Sequence, residues 1–241
     1  MRYNADASNG PLPPRTNRTK PISLLEPSLP PNPKQLDPDN AATDAQQAIK
    51  NNAEYLEQLN QKYQDRSNAR VSGRIPVLML CGQGGAGKDF AAKYLCEVTP
   101  MIYSGSTSSL VAPLVASVQY GGDVKSAFEQ RRHHREYWYE FCNEVRRSDP
   151  TLLAKMNLAE GDMVVGPRDD FEVYEIMNQG VADVSIWIEN PRVAPDPTVK
   201  FGAQDCDLVL MNDGGRFELC RKLDKLLKVL KTAYLPHVKT D

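Results

Sequence analysis

The chain of 241 residues lacks the features that mark membrane-spanning, secreted and disulfide-bonded proteins. No uninterrupted apolar run approaches the ~20 residues that a membrane-spanning helix needs. The first fifteen residues contain no apolar segment typical of a secretory signal. Its five cysteines are odd in number and dispersed, with no Cys-x-x-Cys pair, which argues against a disulfide framework or a zinc site. We therefore predict a cytoplasmic protein that has no membrane partner.

The chain also lacks an excess of charge of one sign. It carries 29 lysines and arginines against 31 aspartates and glutamates, for a net charge of -2. Because no global positive field is present, we expect no direct binding to nucleic acid. The apolar share of 41% and the charged share of 25% are ordinary for a globular chain, so we expect one medium-sized domain with an appendage.

Proline is unevenly distributed, since nine of the eighteen prolines lie between Pro11 and Pro38. Proline removes backbone donors and restricts the residue before it, and few branched apolar residues accompany it here. We therefore predict that residues 1–38 form a disordered tail. The alternative is a docking segment, because Pro30-Pro31-x-Pro33 could bind the aromatic groove of a partner as polyproline II.

Residues 39–70 predict an accessory helix followed by a linker. Asp39 or Asn40 can cap its start. A narrow set of mostly apolar residues then follows at helical spacing: Ile49, Ala53, Leu56, Leu59 or Asn60, and Tyr63. Such a helix would lie on the following domain or pair weakly with another chain, and the oligomeric state is left open.

From residue 71 to 235 the sequence alternates between strand and helix patterns. The apolar run at 75–81 is typical of a strand buried on both faces of a parallel sheet. Further strands are predicted at 162–165, 184–188 and 207–211, and helices at 90–95, 108–119, 124–148, 170–179 and 215–231. This alternation predicts an α/β fold, a three-layer sandwich with a parallel sheet.

A glycine-rich segment separates the first of these strands from the first helix. Gly82-Gln83-Gly84-Gly85-Ala86-Gly87-Lys88-Asp89 fits G-x-x-x-x-G-K, the phosphate-binding loop of P-loop NTPases. Glycines let backbone N–H groups converge on phosphate oxygens, the helix N-terminus adds partial positive charge, and the lysine reaches the β- and γ-phosphates. We predict that the nucleotide is bound by Gly82, Gly84, Gly85, Ala86, Gly87, Lys88, Asp89 and Phe90.

Aspartate stands where this motif usually has serine or threonine. Asp89 either binds magnesium, directly or through water, or is a first-turn acidic residue favoured by the helix dipole.

Three further segments suggest a site for a second anion. The hydroxyl residues Ser106, Thr107 and Ser108 would line a polar pocket or cap a helix. On a helix, Arg131, Arg135 and Trp138 share one face; arginine grips phosphate, whereas the tryptophan would stack on a base or enter the core. Arg168 follows a predicted strand at the edge where the sheet opens toward a ligand.

Taken in order, these motifs resemble those of the bacteriophage deoxynucleoside monophosphate kinases and their phage P-loop relatives. The likeness is carried by the loop ending in Gly-Lys-Asp and by segments 106–108, 131–138, 164–170 and 207–214, within residues 74–231. It implies ATP as phosphoryl donor, Mg²⁺ held by Asp89, a nucleoside monophosphate as acceptor, and the host cytoplasm as compartment.

The resemblance also implies roles for the charged residues. Lys88 would bind the β- and γ-phosphates, Arg135 and Arg168 the acceptor phosphate, and Arg192 or Lys200 would close over the transition state. Such kinases usually carry an arginine-bearing lid, but segment 190–200 has one arginine and one lysine. The alternative is therefore a P-loop ATPase, or a nucleotide-binding accessory protein in phage replication or packaging, in which 190–200 is a proline-rich surface loop.

The division of the chain leads to a first prediction. Deletion of residues 1–38 should leave phosphoryl transfer largely unchanged, because every predicted nucleotide contact lies after residue 81. Comparing kcat and KM of the truncated and full chains tests this. A large loss of kcat in a folded truncated protein would contradict it.

Overall fold

The structure, a computed structural model, describes residues 36–70 and 76–234. Most of the predicted tail, together with the polyproline segment Pro30-Pro31-x-Pro33, lies outside the described residues. Leu36, inside the predicted tail, is buried at 6% exposure, so the packed part of the chain starts before the predicted boundary at residue 38. A truncation that keeps Leu36 is therefore the cleaner test of the first prediction.

Four parallel strands form the sheet of the described chain, which confirms the predicted α/β class. In chain order they are β1 (Leu78–Cys81), β2 (Met163–Val165), β3 (Val184–Glu189) and β4 (Leu208–Met211). Their order across the sheet is β2-β1-β3-β4, so β1 is hydrogen-bonded on both sides. Its four residues are wholly buried, as a continuous apolar run between parallel neighbours predicts.

Nine α-helices accompany these strands within the described residues. Their bounds are α1 (Ala41–Asn51), α2 (Ala53–Ala69), α3 (Lys88–Val98), α4 (Thr107–Gln119), α5 (Val124–Gln130), α6 (Arg135–Val145), α7 (Leu152–Glu160), α8 (Asp170–Asn178) and α9 (Arg216–Tyr234). None of these nine is both long enough and apolar enough to cross a membrane.

Two apolar clusters cover the two faces of the sheet. Leu78 and Leu80 of β1 pack with residues of α3 and α9, whereas Met79 and Cys81 pack with residues of α4, α6, α7 and α8. Successive side chains of a strand point to opposite faces, so β1 contributes to both clusters. Helices therefore lie on both sides of the sheet.

The predicted accessory helix is two helices that belong to the main core. Asn52 separates α1 from α2, and its side-chain amide donates to the Ala48 carbonyl (2.8 Å) and to the Ser117 hydroxyl (3.2 Å). The buried residues of both helices join the cluster that contains α4, α6 and α7; they are Ala41, Ala45, Ala48, Leu59 and Tyr63. Of the two alternatives for this segment, packing on the following domain is therefore the one observed, with two helices in place of the single predicted helix.

Two other helix predictions need correction. The helix predicted over 124–148 is divided into α5 and α6 by a turn at 131–134, where His134 leaves the helical region (φ -128°, ψ 41°). Helix α7 was not predicted. Because α7 is buried nearly all round, it lacks the one-sided apolar pattern on which helix prediction depends.

The connectivity directs attention to one edge of the sheet. β1 lies between β2 and β3, so the chain leaves the carboxyl end of β1 at the point where the strand order reverses. In open α/β sheets, ligands bind in the crevice outside the carboxyl ends of the strands at such a point. The glycine-rich loop (residues 82–87) follows β1 at this edge.

Packing of α2 leads to a second prediction. Leu59 is 2% exposed, so we expect Leu59→Ala to lower the free energy of unfolding by about 2–4 kcal/mol. Gln58→Ala, at the exposed neighbouring position, should change it by less than about 0.5 kcal/mol. Denaturant unfolding of both variants measures the difference. Equal, small effects would mean that α2 does not belong to the cooperative core.

Candidate functional site

The glycine-rich loop adopts backbone conformations that favour glycine. Gly82, Gly85 and Gly87 have φ values of +133°, +89° and +109°. A Cβ atom on Gly82 would lie 2.5 Å from the carbonyl oxygen of Ile188 in β3, so the loop approaches the neighbouring strand too closely for any side chain. Within the loop, the Ala86 amide donates to the Gln83 carbonyl (3.1 Å).

Lys88, the first residue of α3, folds its side chain back over this loop. Its Nζ donates to the carbonyl oxygens of Gly82 (2.7 Å) and Gln83 (2.8 Å). Burial, followed by the positive charge of Arg168, lowers the pKa of Lys88 to about 8. The ammonium therefore sits where its charge is poorly solvated, and an anion beside it would stabilise the protonated form.

Asp89 lies next to Lys88 in the first turn of α3. Its Oδ1 accepts a hydrogen bond from the Tyr103 hydroxyl. Burial and this bond to Asp89 raise the pKa of Tyr103, so the phenol remains a donor. One carboxylate at the edge of a phosphate site is chemically suited to magnesium, which is commonly held by one or two carboxylates together with substrate phosphates and water.

A cavity of about 350 Å³ opens beside the loop and brings most of the predicted site residues together. The predicted residues that line it are Gly84, Gly85, Lys88, Asp89, Ser106, Thr107, Ser108, Arg131, Arg135, Trp138 and Arg168. Six further residues, absent from the prediction, complete the lining: Arg132, Tyr139, Cys142, Arg146, Gly166 and Glu172.

The remaining predicted residues lie outside the lining. Gly82 and Ala86 belong to the part of the loop that packs on the sheet. Phe90 lies below the guanidinium of Arg216, whose central carbon is 5.6 Å from the centroid of the Phe90 ring. Arg192 is exposed and donates to the Asn212 carbonyl (3.2 Å). Its guanidinium thus lies at the end of β4.

Gly87 also lies outside the lining, beside the segment that follows β4. A Cβ atom on it would meet the side-chain amide of Asn212 at 2.7 Å. That same amide donates to the Ala86 carbonyl (2.8 Å), so Asn212 ties the end of β4 to the loop.

The hydroxyl segment is used partly for structure. Thr107 is buried, and its hydroxyl donates to the carbonyl of Val165 at the end of β2 (3.1 Å). Ser106 precedes α4, but its side chain makes no capping hydrogen bond to the helix. Segment 106–108 therefore lines the cavity and also starts α4, but the Ser106 side chain does not cap the helix.

Arg131 is fixed against α5. Its guanidinium stacks 3.6 Å from the centroid of the Phe128 ring and donates to the Phe128 carbonyl (2.5 Å). Trp138 belongs to the core cluster, which is one of the two roles considered for it, and it also lines the cavity.

Positive charge dominates the cavity. Its lining carries two carboxylates, Asp89 and Glu172, against six cationic side chains: Lys88, Arg131, Arg132, Arg135, Arg146 and Arg168. Burial, followed by the charge of Arg135, lowers the pKa of Arg168. Converging cations of this kind are the chemistry that binds phosphate groups.

Asp196 holds two of these arginines together. Its Oδ2 accepts from Arg168 (2.8 Å) and forms an ion pair with Arg135. Its backbone amide donates to the Gln83 side chain (2.7 Å), and its Oδ1 accepts from the Thr198 hydroxyl (2.7 Å). Asp196 is 7% exposed, and this buried carboxylate links the segment 190–200 to the glycine-rich loop.

Sequence reasoning missed Asp196 because it searched segment 190–200 for cations. The sequence did offer one signal: Asp196 is an isolated acidic residue between Pro195 and Pro197, in a segment expected to face arginines. Glu172 was missed because it stands among other acidic residues of α8, and nothing in its local sequence marks it as the buried one.

Arg146, which directly follows α6, forms a buried ion pair with Glu172 in the lining of the cavity. The Arg146 guanidinium donates to Glu172 Oε2 (2.7 Å), and the Arg168 backbone amide donates to the same oxygen (3.3 Å). Burial raises the pKa of Glu172, and the charge of Arg146 opposes this rise. Tyr139 completes this region by donating to Asp169 Oδ2 (3.0 Å).

Comparison of the chain with models of protein families and with curated proteins finds no match. The resemblance to phage nucleotide kinases thus rests on the sequence motifs and stays a prediction.

The lowered pKa of Lys88 leads to a third prediction. A bound polyphosphate favours protonated Lys88, whereas the free protein loses this charge as the pH rises from 8 to 9.5. The affinity of the protein for polyphosphate should therefore fall about tenfold over this range. Calorimetry with inorganic triphosphate across this range measures the effect.

Two variants serve as its controls. Lys88→Met should bind more weakly and lose this part of the pH dependence. Lys93→Met, at an exposed position of the same helix, should behave like the parent protein. Parallel pH curves for Lys88→Met and the parent would assign the titration to another group.

Proposed function

We propose that the protein is a P-loop nucleotide kinase that transfers the γ-phosphoryl group of ATP to a nucleoside monophosphate, giving the diphosphate. One observation carries this proposal: a single cavity joins the glycine-rich loop and Lys88 to two arginines from other segments of the chain, Arg135 and Arg168. Phosphoryl transfer needs donor and acceptor phosphates side by side, with their charge neutralised, more than it needs covalent chemistry.

On the donor side, the loop and α3 supply the groups that polyphosphates require. The start of α3 provides free backbone N–H groups and partial positive charge, and Lys88 adds a mobile cation. Asp89 would hold Mg²⁺, whose charge would offset the negative charge of the phosphates. Lys88 would exchange its present hydrogen bonds to the loop carbonyl oxygens for bonds to the phosphates.

On the acceptor side, Arg135 and Arg168 would grip the monophosphate. Both are already oriented by one carboxylate, Asp196, so little side-chain entropy remains to be lost on binding. A phosphate arriving here would share or replace that carboxylate as the counter-ion. An acceptor phosphate is anionic, so no general base is required.

The segment 190–200 is the candidate lid of this kinase. Asp196 anchors it to the loop, and Lys200 lies 5.5 Å from the ring centroid of Tyr139, which lines the cavity. Arg192 is directed to the end of β4, so a role over the transition state would need this segment to move. Lys200 is therefore the better candidate for that role.

Loss of the loop lysine gives the fourth prediction. Lys88→Ala should reduce diphosphate formation by about 10²-fold or more, since it removes a charge-stabilising donor from the transition state. Lys93→Ala, on the exposed face of α3, is the matched control and should keep parental turnover. Thermal unfolding of both variants verifies that the fold is intact.

The assay should separate the possible reactions. Each ribo- and deoxynucleoside monophosphate is incubated with γ-labelled ATP and Mg²⁺, and the label is followed into diphosphate or free phosphate. Label in a diphosphate supports the kinase. Free phosphate that depends on no acceptor supports the P-loop ATPase, and nucleotide binding without either product supports an accessory protein. Parental turnover in Lys88→Ala would refute the assigned role of the loop.

A further inference from the structure

The end of the cavity beyond the arginine pair carries polar groups that phosphate binding does not use. Trp138 is 6% exposed and lines the same cavity as the arginine pair. Its indole Nε1 is one of four buried side-chain polar atoms in the described residues that have no hydrogen-bond partner. A buried donor without a partner is costly, so such a group calls for an acceptor that the chain itself does not supply.

Glu172 provides an acceptor in the same cavity. It is 1% exposed and lines the cavity. Its contacts with the Arg146 guanidinium and the Arg168 amide both fall on Oε2. A carboxylate has about four acceptor positions over its two oxygens, so capacity remains for donors from a ligand.

Arg168 sets the spacing between this region and the proposed phosphate site. Its guanidinium pairs with Asp196 beside the glycine-rich loop, whereas its backbone amide bonds Glu172. The phosphate-binding cation and the acceptor carboxylate thus lie at the two ends of one residue. A nucleoside monophosphate has the same arrangement, with its charge at one end and the polar edge of its base at the other.

We propose, building on the kinase function above, that the acceptor is a guanine nucleotide and that Glu172 and Trp138 determine this specificity. The Watson–Crick edge of guanine presents two adjacent N–H donors, N1–H and the 2-amino group, which a carboxylate accepts together. Its O6 and N7 atoms are acceptors for the Trp138 N–H.

The other bases fit this pair of groups less well. Adenine presents a ring-nitrogen acceptor where guanine has N1–H, so its lone pair would face the carboxylate of Glu172. Thymine and uracil offer one N–H flanked by two carbonyl oxygens, and cytosine offers one amino group beside an acceptor nitrogen. Each leaves a buried polar group unpaired, which is the strongest basis for discrimination between similar substrates.

The test compares dGMP, dAMP, dCMP, dTMP and dIMP as acceptors with ATP and Mg²⁺. We expect kcat/KM for dGMP to exceed that of the other three natural nucleotides at least tenfold, with dIMP, which lacks the 2-amino group, in between. Calorimetric binding of dGMP and dAMP to the full-length protein measures the same preference without turnover. Preference for another base, or equal values for all, would overturn the proposal.

Three variants locate the preference. Glu172→Gln should reduce the dGMP-to-dAMP ratio about tenfold or more while leaving the KM for ATP unchanged. Trp138→Phe, which keeps an aromatic ring but removes the N–H, should reduce that ratio severalfold. Glu175→Gln, the same change on another part of α8, should leave the ratio unchanged. If Glu172→Gln does not fold, Trp138→Phe still decides, and an unaltered ratio in the folded variants contradicts the proposal.

The two proposals fail separately. Selective dGMP binding without any diphosphate would refute the kinase and retain guanine recognition. Diphosphate formation without base preference would support the kinase and refute guanine recognition.

Discussion

The cavity depends on one buried carboxylate. Cations removed from water need a counter-charge at close range, and Asp196 supplies it to both Arg135 and Arg168. Through its backbone amide the same residue is bonded to Gln83. Asp196 therefore holds four parts of the chain together at one point: segment 190–200, the start of α6, the segment after β2 and the glycine-rich loop. An anion that binds the arginines must act on all four.

The position of the loop has a separate physical cause. β1 is paired on both sides, so the chain that leaves it passes close to β3, and Gly82 approaches the Ile188 carbonyl at a distance that excludes a Cβ atom. Glycine at this position permits both the close approach and the positive φ. The result is a backbone turn rigidly fixed to the sheet, onto which Lys88 can fold.

Local patterns predicted much of this architecture. Apolar runs gave all four described strands within a few residues, and the spacing of glycines and Lys88 directed attention to the sheet edge where the cavity lies. Helix α7 was not predicted because burial on all sides removes amphipathic periodicity. Helices α1 and α2 were expected to be accessory because alanines bury well without forming a strong apolar stripe. Asp196 and Glu172 were missed, since their roles arise from arginines 61 and 26 residues away in sequence.

The net charge of the chain says little about its ligands. The whole sequence is nearly neutral, yet the cavity lining carries six cations and two carboxylates, a contrast that only folding creates. A single anion would need fewer positive groups than these. Two phosphate-bearing molecules held in one enclosed space repel each other strongly, because the low dielectric of the interior weakens screening. Distributing cations along the cavity, with buried carboxylates that offset their mutual repulsion when ligands are absent, is the charge pattern that the proposed pair of substrates would require.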